Sequence, residues 1–422
     1  MEREARPGSM RILLLTHNRA GLGGSFLRGF SIGRALSALG HEVTLVASRG
    51  ERGFRTLREY ASGLEIVQMP DALPERIRHG GLSPMDLLGR LMLSNSCDLV
   101  HGFDHRPAVS IPALWMRWSR RVPYVADWAD LWGRGGIADH RPTSLGRALG
   151  GLDGYGEREV HRRADAVTVV TEELGIRARE LGVPGDRVRR IGIGASSDVI
   201  RPLPRAAARA AHGIPEGASV VVHSGFAPYD GRLLAESFVA LSRLNPSVVL
   251  LLTGATAPEV MKTFEAFGVA GRVRSFGIVP YECLGEILAC GDVMLLPFTR
   301  RSLNTARFPN RAGDYLAAGR PVVTNPTGEL GRLVEREGVG VLASEDAESF
   351  AKAIDDLLRD EPRRREMGER ARRLAETRMS WGAVASELDR FYRALLEDWG
   401  TSSIRSSSRS SRRAMRRGSA PP

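Results

Sequence analysis

Short apolar runs of strand length alternate with amphipathic helical stretches along most of this chain. The first run, ILLLT after Arg11, leads into a glycine-containing loop at 19–24. An amphipathic pattern from Phe30 (FSIGRALSAL) follows, and then a second run, EVTLVAS from Glu42. Strand, glycine loop, helix, strand is a βαβ opening whose loop amides face whatever binds at the helix start. Runs continue at DLVHGF (98–103), VPYVADW (122–128) and AVTVVT (166–171), with helical stretches between them. Such near-continuous apolar runs predict a parallel, doubly wound sheet covered on both faces.

Between about 198 and 213 the pattern lapses into Pro, Ala and Arg, which reads as a linker leading to a short helix. It restarts with SVVVHSGF (219–226), the loop APYDGR, a helix around LLAESFVAL (233–241), and the runs SVVLLLTG, VRSFGIV, DVMLLPF, PVVT and GVLAS. A long amphipathic pattern over 370–397 closes the second α/β unit. A chain of 422 residues is too long for one ordinary core, and two units match that length. The predicted division is 10–200 and 201–385, a helix over 386–400, and a Ser/Arg/Pro tail, 401–422, too polar to pack and expected to be disordered.

Charge and cysteines narrow the function classes. The net charge is +11, but the tail holds six arginines and no acid, so about half the excess lies on the folded part. Only Lys262 and Lys352 are lysines, and no nucleic-acid-binding signature is present, so nucleic acid is not the expected partner. Arg49, Arg52, Arg55 and Arg58 would gather into a stripe if helical, although Glu51 and Glu59 interrupt it. Cys97, Cys283 and Cys290 are scattered without metal-ligand spacing and fit reduced cysteines in a cytoplasm. The N-terminus has no secretory pattern and no run approaches the roughly 18 apolar residues of a membrane span. A dinucleotide fingerprint fails: Gly21 and Gly23 are present, but Phe26 stands where the third glycine belongs, and the second strand ends at Ser48 without an acid.

The densest chemistry lies at 308–332, FPNRAGDYLAAGRPVVTNPTGELGR. Pro309 breaks the chain ahead of a short helix that ends at Gly319, the position suited to a left-handed cap. Arg311 and Asp314, three apart, share one face near the positively polarised helix start. That pair suits a ligand with a phosphate and, a few ångströms away, vicinal hydroxyls, as in a sugar nucleotide. The same pair could equally be a surface ion pair worth about 0–1 kcal/mol.

Nine motifs in order, from the loop Gly23-Gly24 through GHEVTLV, DLVHGF, ERxxxRRADAVTVVTEEL, RVRRIGIG, HSGF, VRSFGIVP and GDVMLLPF to PxR…DYLAAGRPVV, resemble the retaining glycosyltransferases of family 4, of GT-B architecture. The resemblance covers 10–398. It implies two tandem Rossmann-like α/β domains facing a cleft, and a C-terminal helix crossing back onto the first domain. By the same resemblance, Asp314 holds ribose hydroxyls and Arg311 takes the place of a phosphate-binding Lys. Ile278 and Val279 hold the base, Gly225 opens the phosphate loop, and Gly23 and Gly24 face the donor from the other domain. It implies transfer from a nucleotide-diphosphate sugar to a glycan, lipid-linked or small-molecule acceptor, with no metal or other cofactor.

Three positions depart from the pattern. Ala306 replaces the first acid of a pair; Asp230 precedes Gly231 where a Lys is usual, leaving Arg232 as the substitute. Ala129 stands where many relatives carry a His, flanked by Asp127 and Asp130. Asp130 is the expected polar group nearest the reacting sugar, with His101 and His105 as rivals. These departures keep a second reading open, a catalytically degenerate GT-B homologue that binds a nucleotide or carbohydrate. An epimerase of the same fold is a minor alternative. A pyridoxal-phosphate phosphorylase lacks a suitable lysine. The basic tail reads either as an inert extension or as a strip holding the chain at an anionic membrane.

Overall fold

The computed structural model describes residues 8–417 apart from 76–77, 79–80, 94–95, 142 and 226–229, with side chains through Thr401. The first lobe carries the strands β1 (Arg11–Arg19), β2 (Glu42–Ser48), β3 (Leu57–Ala61), β4 (Leu64–Met69), β5 (Leu99–Phe103), β6 (Tyr124–Trp128), β7 (Ala166–Val169) and β8 (Val188–Arg190). Its helices are α1 (Gly24–Ala38), α2 (Pro84–Leu91), α3 (Pro107–Ser119), α4 (Ser144–Ala148), α5 (Gly150–Arg163) and α6 (Glu172–Glu180). The strand order is β3-β4-β2-β1-β5-β6-β7-β8, parallel except for the antiparallel β3–β4 pair.

The second lobe runs α7 (Arg205–Ala211), β9 (Ser219–Ser224), α8 (Gly231–Leu244), β10 (Val248–Thr253), α9 (Pro258–Ala266), β11 (Val273–Ser275), α10 (Tyr281–Cys290) and β12 (Val293–Leu296). It continues with α11 (Ser302–Ala306), α12 (Asn310–Ala317), β13 (Val322–Thr324), α13 (Gly328–Glu337), β14 (Gly340–Leu342), α14 (Ala347–Arg359) and α15 (Glu361–Glu376), and α16 (Trp381–Arg417) follows. Its six parallel strands are ordered β11-β10-β9-β12-β13-β14. In both sheets the order reverses beside the first strand of the lobe. A crevice opens there, at the carboxyl ends of the strands, where α/β proteins bind ligands.

Apolar runs become central strands because helices cover both faces. On one face of the first sheet, Val109, Ala113 and Met116 of α3 and Val160 of α5 join Leu13, Leu15 and Val100 in one core. On the other, Phe26, Ile32 and Leu36 of α1 meet Trp381, Val384, Leu388 and Tyr392 of α16. The C-terminal helix therefore crosses back onto the first lobe, as the resemblance implied.

The crossing starts at Trp381 rather than 386, because the single long helix expected over 370–397 is two helices. Residues 377–380 leave helical geometry and Ser380 bridges to Ala195, with Ala195 N–H donating to the Met379 carbonyl at 2.6 Å. Trp381 then lies so close to Gly194 that a Cβ there would come within 2.3 Å of the indole. Only glycine fits. α16 continues through Arg417, so the expected disordered tail is helical that far along the backbone. Once a helix is nucleated, extending it through Ser, Ala and Arg costs little; residues 418–422 lie outside the described residues.

The basic stripe that a helix over 49–58 would have gathered does not form. That segment is not helical: Gly53 pairs with Asp71, Arg49 and Arg52 donate to backbone carbonyls, and Arg58 pairs with Glu65.

Candidate functional site

The second-lobe wall of the crevice is built by α12 and the ends of β9 and β10. Pro309 halts the chain and Asn310 begins the helix, which ends before Gly319 in the left-handed region expected of it (φ 65°). Arg311, one residue into this helix, donates Nη1–H to the Ser224 carbonyl at the tip of β9 at 2.8 Å. Gly225 follows with φ 79°, and a Cβ there would sit 3.3 Å from that same Nη1. Arg311 makes no ion pair with Asp314 among the described residues, so the surface-pair reading fails. Burial lowers its pKa, the mark of a cation withdrawn from water.

Asp314 instead accepts the Tyr281 hydroxyl at 2.6 Å, and burial lifts its carboxyl to about 6. Tyr281 stands on the crevice wall beside Ile278 and Val279, with Asp314 directly behind it. Ile278 projects freely, at 77% exposure. The loop at 226–229 expected to hold phosphate lies outside the described residues.

The opposite wall comes from the first lobe. Gly23 (φ 83°) turns the chain into α1, and a Cβ there would clash at 2.6 Å with Asn18. Asn18 Oδ1 accepts the N–H groups of Ser25 and Phe26 at 3.0 and 3.3 Å, satisfying two donors of the first turn. Gly24 approaches Asn310 of the other lobe, whose Nδ2 lies 3.5 Å from its carbonyl. The two lobes enclose a cleft of about 930 Å³ that Gly23, Gly24, Asp130, Gly225, Ile278, Val279 and Arg311 all line.

The structure separates the two acids that flank Ala129. Asp127 is fully engaged: Arg28 clamps it with two bonds of 3.0 Å, and Thr168 donates at 2.6 Å. Arg28 also reaches the Ile191 and Gly192 carbonyls, so this buried pair holds α1 against the sheet. Asp130 has no such clamp among the described residues. Burial raises its carboxyl, Arg307 of the opposite lobe draws it back down, and Asp104 and Asp127 add to the rise. Its loop is fixed from below by Glu157, which accepts Trp128 Nε1–H at 2.8 Å and the Trp132 and Gly133 amides at 3.0 Å.

The remaining expectations divide. Arg232 does not reach the cleft: its side chain is 87% exposed and pairs with Glu236 one helical turn on. Asp230 is buried, accepting Thr299 Oγ1–H at 2.6 Å and the Asn304 amide, so it anchors the start of α8. Arg307, which sequence reasoning missed, is a second arginine on the same wall as Arg311. Arg307 lines the cleft, held by Asn304 Oδ1 at 2.8 Å and lying 5.3 Å over the Phe298 ring. Its only sequence signal is adjacency to Ala306, itself buried, whose carbonyl accepts Thr171 Oγ1–H across the lobes at 2.6 Å.

His101 is structural, wedged between Tyr392 OH at 2.5 Å and Thr168 at 3.1 Å and lowered by burial to about 4. His105 packs edge-on to Trp132 near Asp104, away from the cleft wall. Trp132, also missed, lines the cleft with Arg106 stacked over it at 4.1 Å.

Two doubly wound lobes facing one cation-bearing cleft are the arrangement of GT-B transferases. Comparison with known proteins agrees: residues 30–194 match the model of a glycosyl transferase 4-like domain and residues 219–360 that of glycosyl transferases group 1. The chain belongs to the GT-B glycosyltransferases, and both models are consistent with family 4. Alpha-D-kanosaminyltransferase of Streptomyces kanamyceticus is 24% identical over 274 residues, 61% of this chain and 68% of the relative. D-inositol 3-phosphate glycosyltransferase of Nocardia farcinica is 28% identical over 254 residues, 57% of this chain and 55% of the relative. The chain thus spans a little over half the length of that relative. HepE of Anabaena, solved in complex with UDP-glucose, superposes with a TM-score of 0.70 at 16% identity, covering 91% of this chain and all of that one.

Proposed function

We propose that this chain transfers a glycosyl group from a nucleotide-diphosphate sugar to a hydroxyl acceptor, with retention and without a metal. The observation that carries this reading is the pair of cations, Arg307 and Arg311, on the second-lobe wall of the cleft, facing Asp130 on the first. In the step proposed, the bond from the sugar C1 to the diphosphate oxygen breaks and a bond from C1 to the acceptor oxygen forms. The acceptor's proton passes to the departing diphosphate. Negative charge grows on that diphosphate, and fixed guanidinium groups and the amides around Gly24 and Gly225 stabilise it in a site shielded from water.

Ile278 and Val279 flank the base, and Asp314 takes the ribose hydroxyls once Tyr281 yields its bond or relays it. Asp130 faces the reacting sugar. The acceptor is a glycan, a lipid-linked sugar or a small molecule bound on the first lobe. Three cysteines without disulfides support a cytoplasmic setting.

A second reading, an inert homologue that binds nucleotide without transfer, draws on Arg232 pointing to solvent and Asp230 being consumed within α8. The test is release of nucleoside diphosphate from UDP-, GDP-, ADP- and TDP-sugars, with and without EDTA. One base should give release that EDTA leaves unchanged. Donor binding with no release from any sugar would establish the inert homologue, and release abolished by EDTA would end the metal-free reading.

A further inference from the structure

A basin of about 600 Å³ opens between α15, the linker residues Pro202 and Leu203, and the turn that follows α12. Among the described residues it shares none with the cleft. Gly368 shapes it: a Cβ there would come within 2.4 Å of the Gly319 carbonyl, so α15 lies directly on the turn. That contact sets two rows of α15 along the basin. Arg364 and Arg372 stand one helical turn to either side of Gly368, and Arg365 and Arg373 lie one position further on. Arg205 and Arg320 complete a set of six arginines.

Six arginines would mean little if acids neutralised them all. Two are neutralised: Arg205 pairs with Asp292 at 2.8 Å, and Arg372 with Glu376 at 2.7 Å. Asp292 is shared with Arg209, and Glu361 lies 3.7 Å from Arg205. Among the described residues, Arg320, Arg364, Arg365 and Arg373 have no ion pair, and Glu369 is the one unpaired acid on the wall. Arg320 carries the sharpest signal. Burial lowers its pKa, its Nη2–H goes to the Ala289 carbonyl at 2.9 Å, and its buried Nε–H has no acceptor among the described residues. A cation withdrawn from water with a donor unspent favours an anion beside it.

We propose that this basin binds a phosphate-bearing small molecule at a site separate from the donor cleft. Guanidinium forks match phosphate oxygens in pairs, and a concave surface of one charge sign concentrates counter-ions. Arg372, on the same wall, donates to the Ser197 and Ile200 carbonyls, where one lobe passes into the other. It also donates to the Ala317 carbonyl at the end of α12, the helix of Arg311. An anion held here therefore rests on segments that join the lobes and carry Arg311. The inference does not depend on transfer.

The test is calorimetric titration of inorganic pyrophosphate into Arg307→Ala/Arg311→Ala, in which the cleft has lost its cations. The same titration is run with Arg365→Ala/Arg373→Ala added; both positions are exposed, and the melting temperature checks the fold. A control, Arg363→Ala/Arg370→Ala in the same background, removes equal charge from the same helix outside the basin. The cleft-disabled protein and the control should bind pyrophosphate, and loss of Arg365 and Arg373 should weaken that binding about tenfold or more. No binding by the cleft-disabled protein would overturn the proposal, by leaving the cleft as the only anion site. So would equal affinity with and without Arg365 and Arg373, or an equal loss in the control, which would make the effect one of net charge. If Arg307→Ala/Arg311→Ala fails to fold, the number of pyrophosphate sites decides. It should fall by one between wild type and Arg365→Ala/Arg373→Ala, and an unchanged number would contradict the proposal.

Discussion

The two walls of the cleft are made in different ways. The second-lobe wall has at its centre one continuous stretch, 307–311, which runs into a single short helix that carries Arg311 and Asp314 between Pro309 and Gly319. The first-lobe wall is assembled from distant parts: Asn18 against Ser25, Arg28 against Asp127, and Glu157 beneath the loop of Asp130. In the first case local geometry creates the site; in the second, long-range hydrogen bonds do, and neighbours in sequence acquire unrelated tasks. Asp127 and Asp130 show this most sharply: both line the cleft, but one is a fully engaged anchor and the other has no such clamp among the described residues.

That contrast can be broken most decisively by replacing each acid with alanine. Asp127→Ala strands Arg28 as a buried cation without its partner and should cost about 3–5 kcal/mol, read as a large drop in melting temperature. Asp130→Ala should melt as the wild type does, yet lose roughly a hundredfold in transfer rate. Equal loss of stability in both variants would erase the distinction between the two acids.

Arg307→Ala comes next. It should weaken nucleotide-diphosphate binding about tenfold to a hundredfold, the scale of a charged hydrogen bond of about 1.5–3 kcal/mol. By titration calorimetry the nucleoside without phosphates should be unaffected.

A smaller effect concerns Asp314, whose carboxyl stands near pKa 6 in the folded protein because burial disfavours its charge. A raised carboxyl contributes stability that is complete below its unfolded value, near 3.9, and is lost as pH rises through about 6. Asp314→Asn should therefore gain melting temperature relative to wild type between pH 5 and pH 7.5. Nucleotide affinity of the wild type should fall as pH drops below 6, because ribose hydroxyls need the ionised acceptor, and the Asn variant should lack that fall. Arg232→Ala, paired only with Glu236 in solvent, should change donor binding by less than about twofold.

Legibility followed the same division. The alternation of apolar runs made both sheets readable, because strands covered on two faces must be apolar throughout. The Gly319 cap and the Pro309 start were readable because they are local backbone requirements. Arg307 was not, since its position depends on Asn304 and Phe298 folding beneath it. Arg232 was misplaced because Asp230 is drawn inward by Thr299 and Asn304, and Gly231 and Leu233 to Ala235 pack inward after it, which leaves Arg232 on the outer side of α8. The break at 377–380 was hidden too: an amphipathic pattern persists across it, while the cause, pairing of Ser380 with Ala195 and docking of Trp381 on Gly194, lies in the other lobe.

The most direct test of the central claim, that Arg311 anchors a nucleotide diphosphate on the second-lobe wall, is a thermal-shift panel. UDP, GDP, ADP and TDP are each titrated against wild type and Arg311→Ala. A ligand at a hundred times its dissociation constant adds about 2.7 kcal/mol of stability, well above detection. One nucleotide should raise the melting temperature of the wild type and leave that of Arg311→Ala unchanged. If none of the four shifts the wild type, or if the variant responds as strongly, the cleft is not a donor site of this kind.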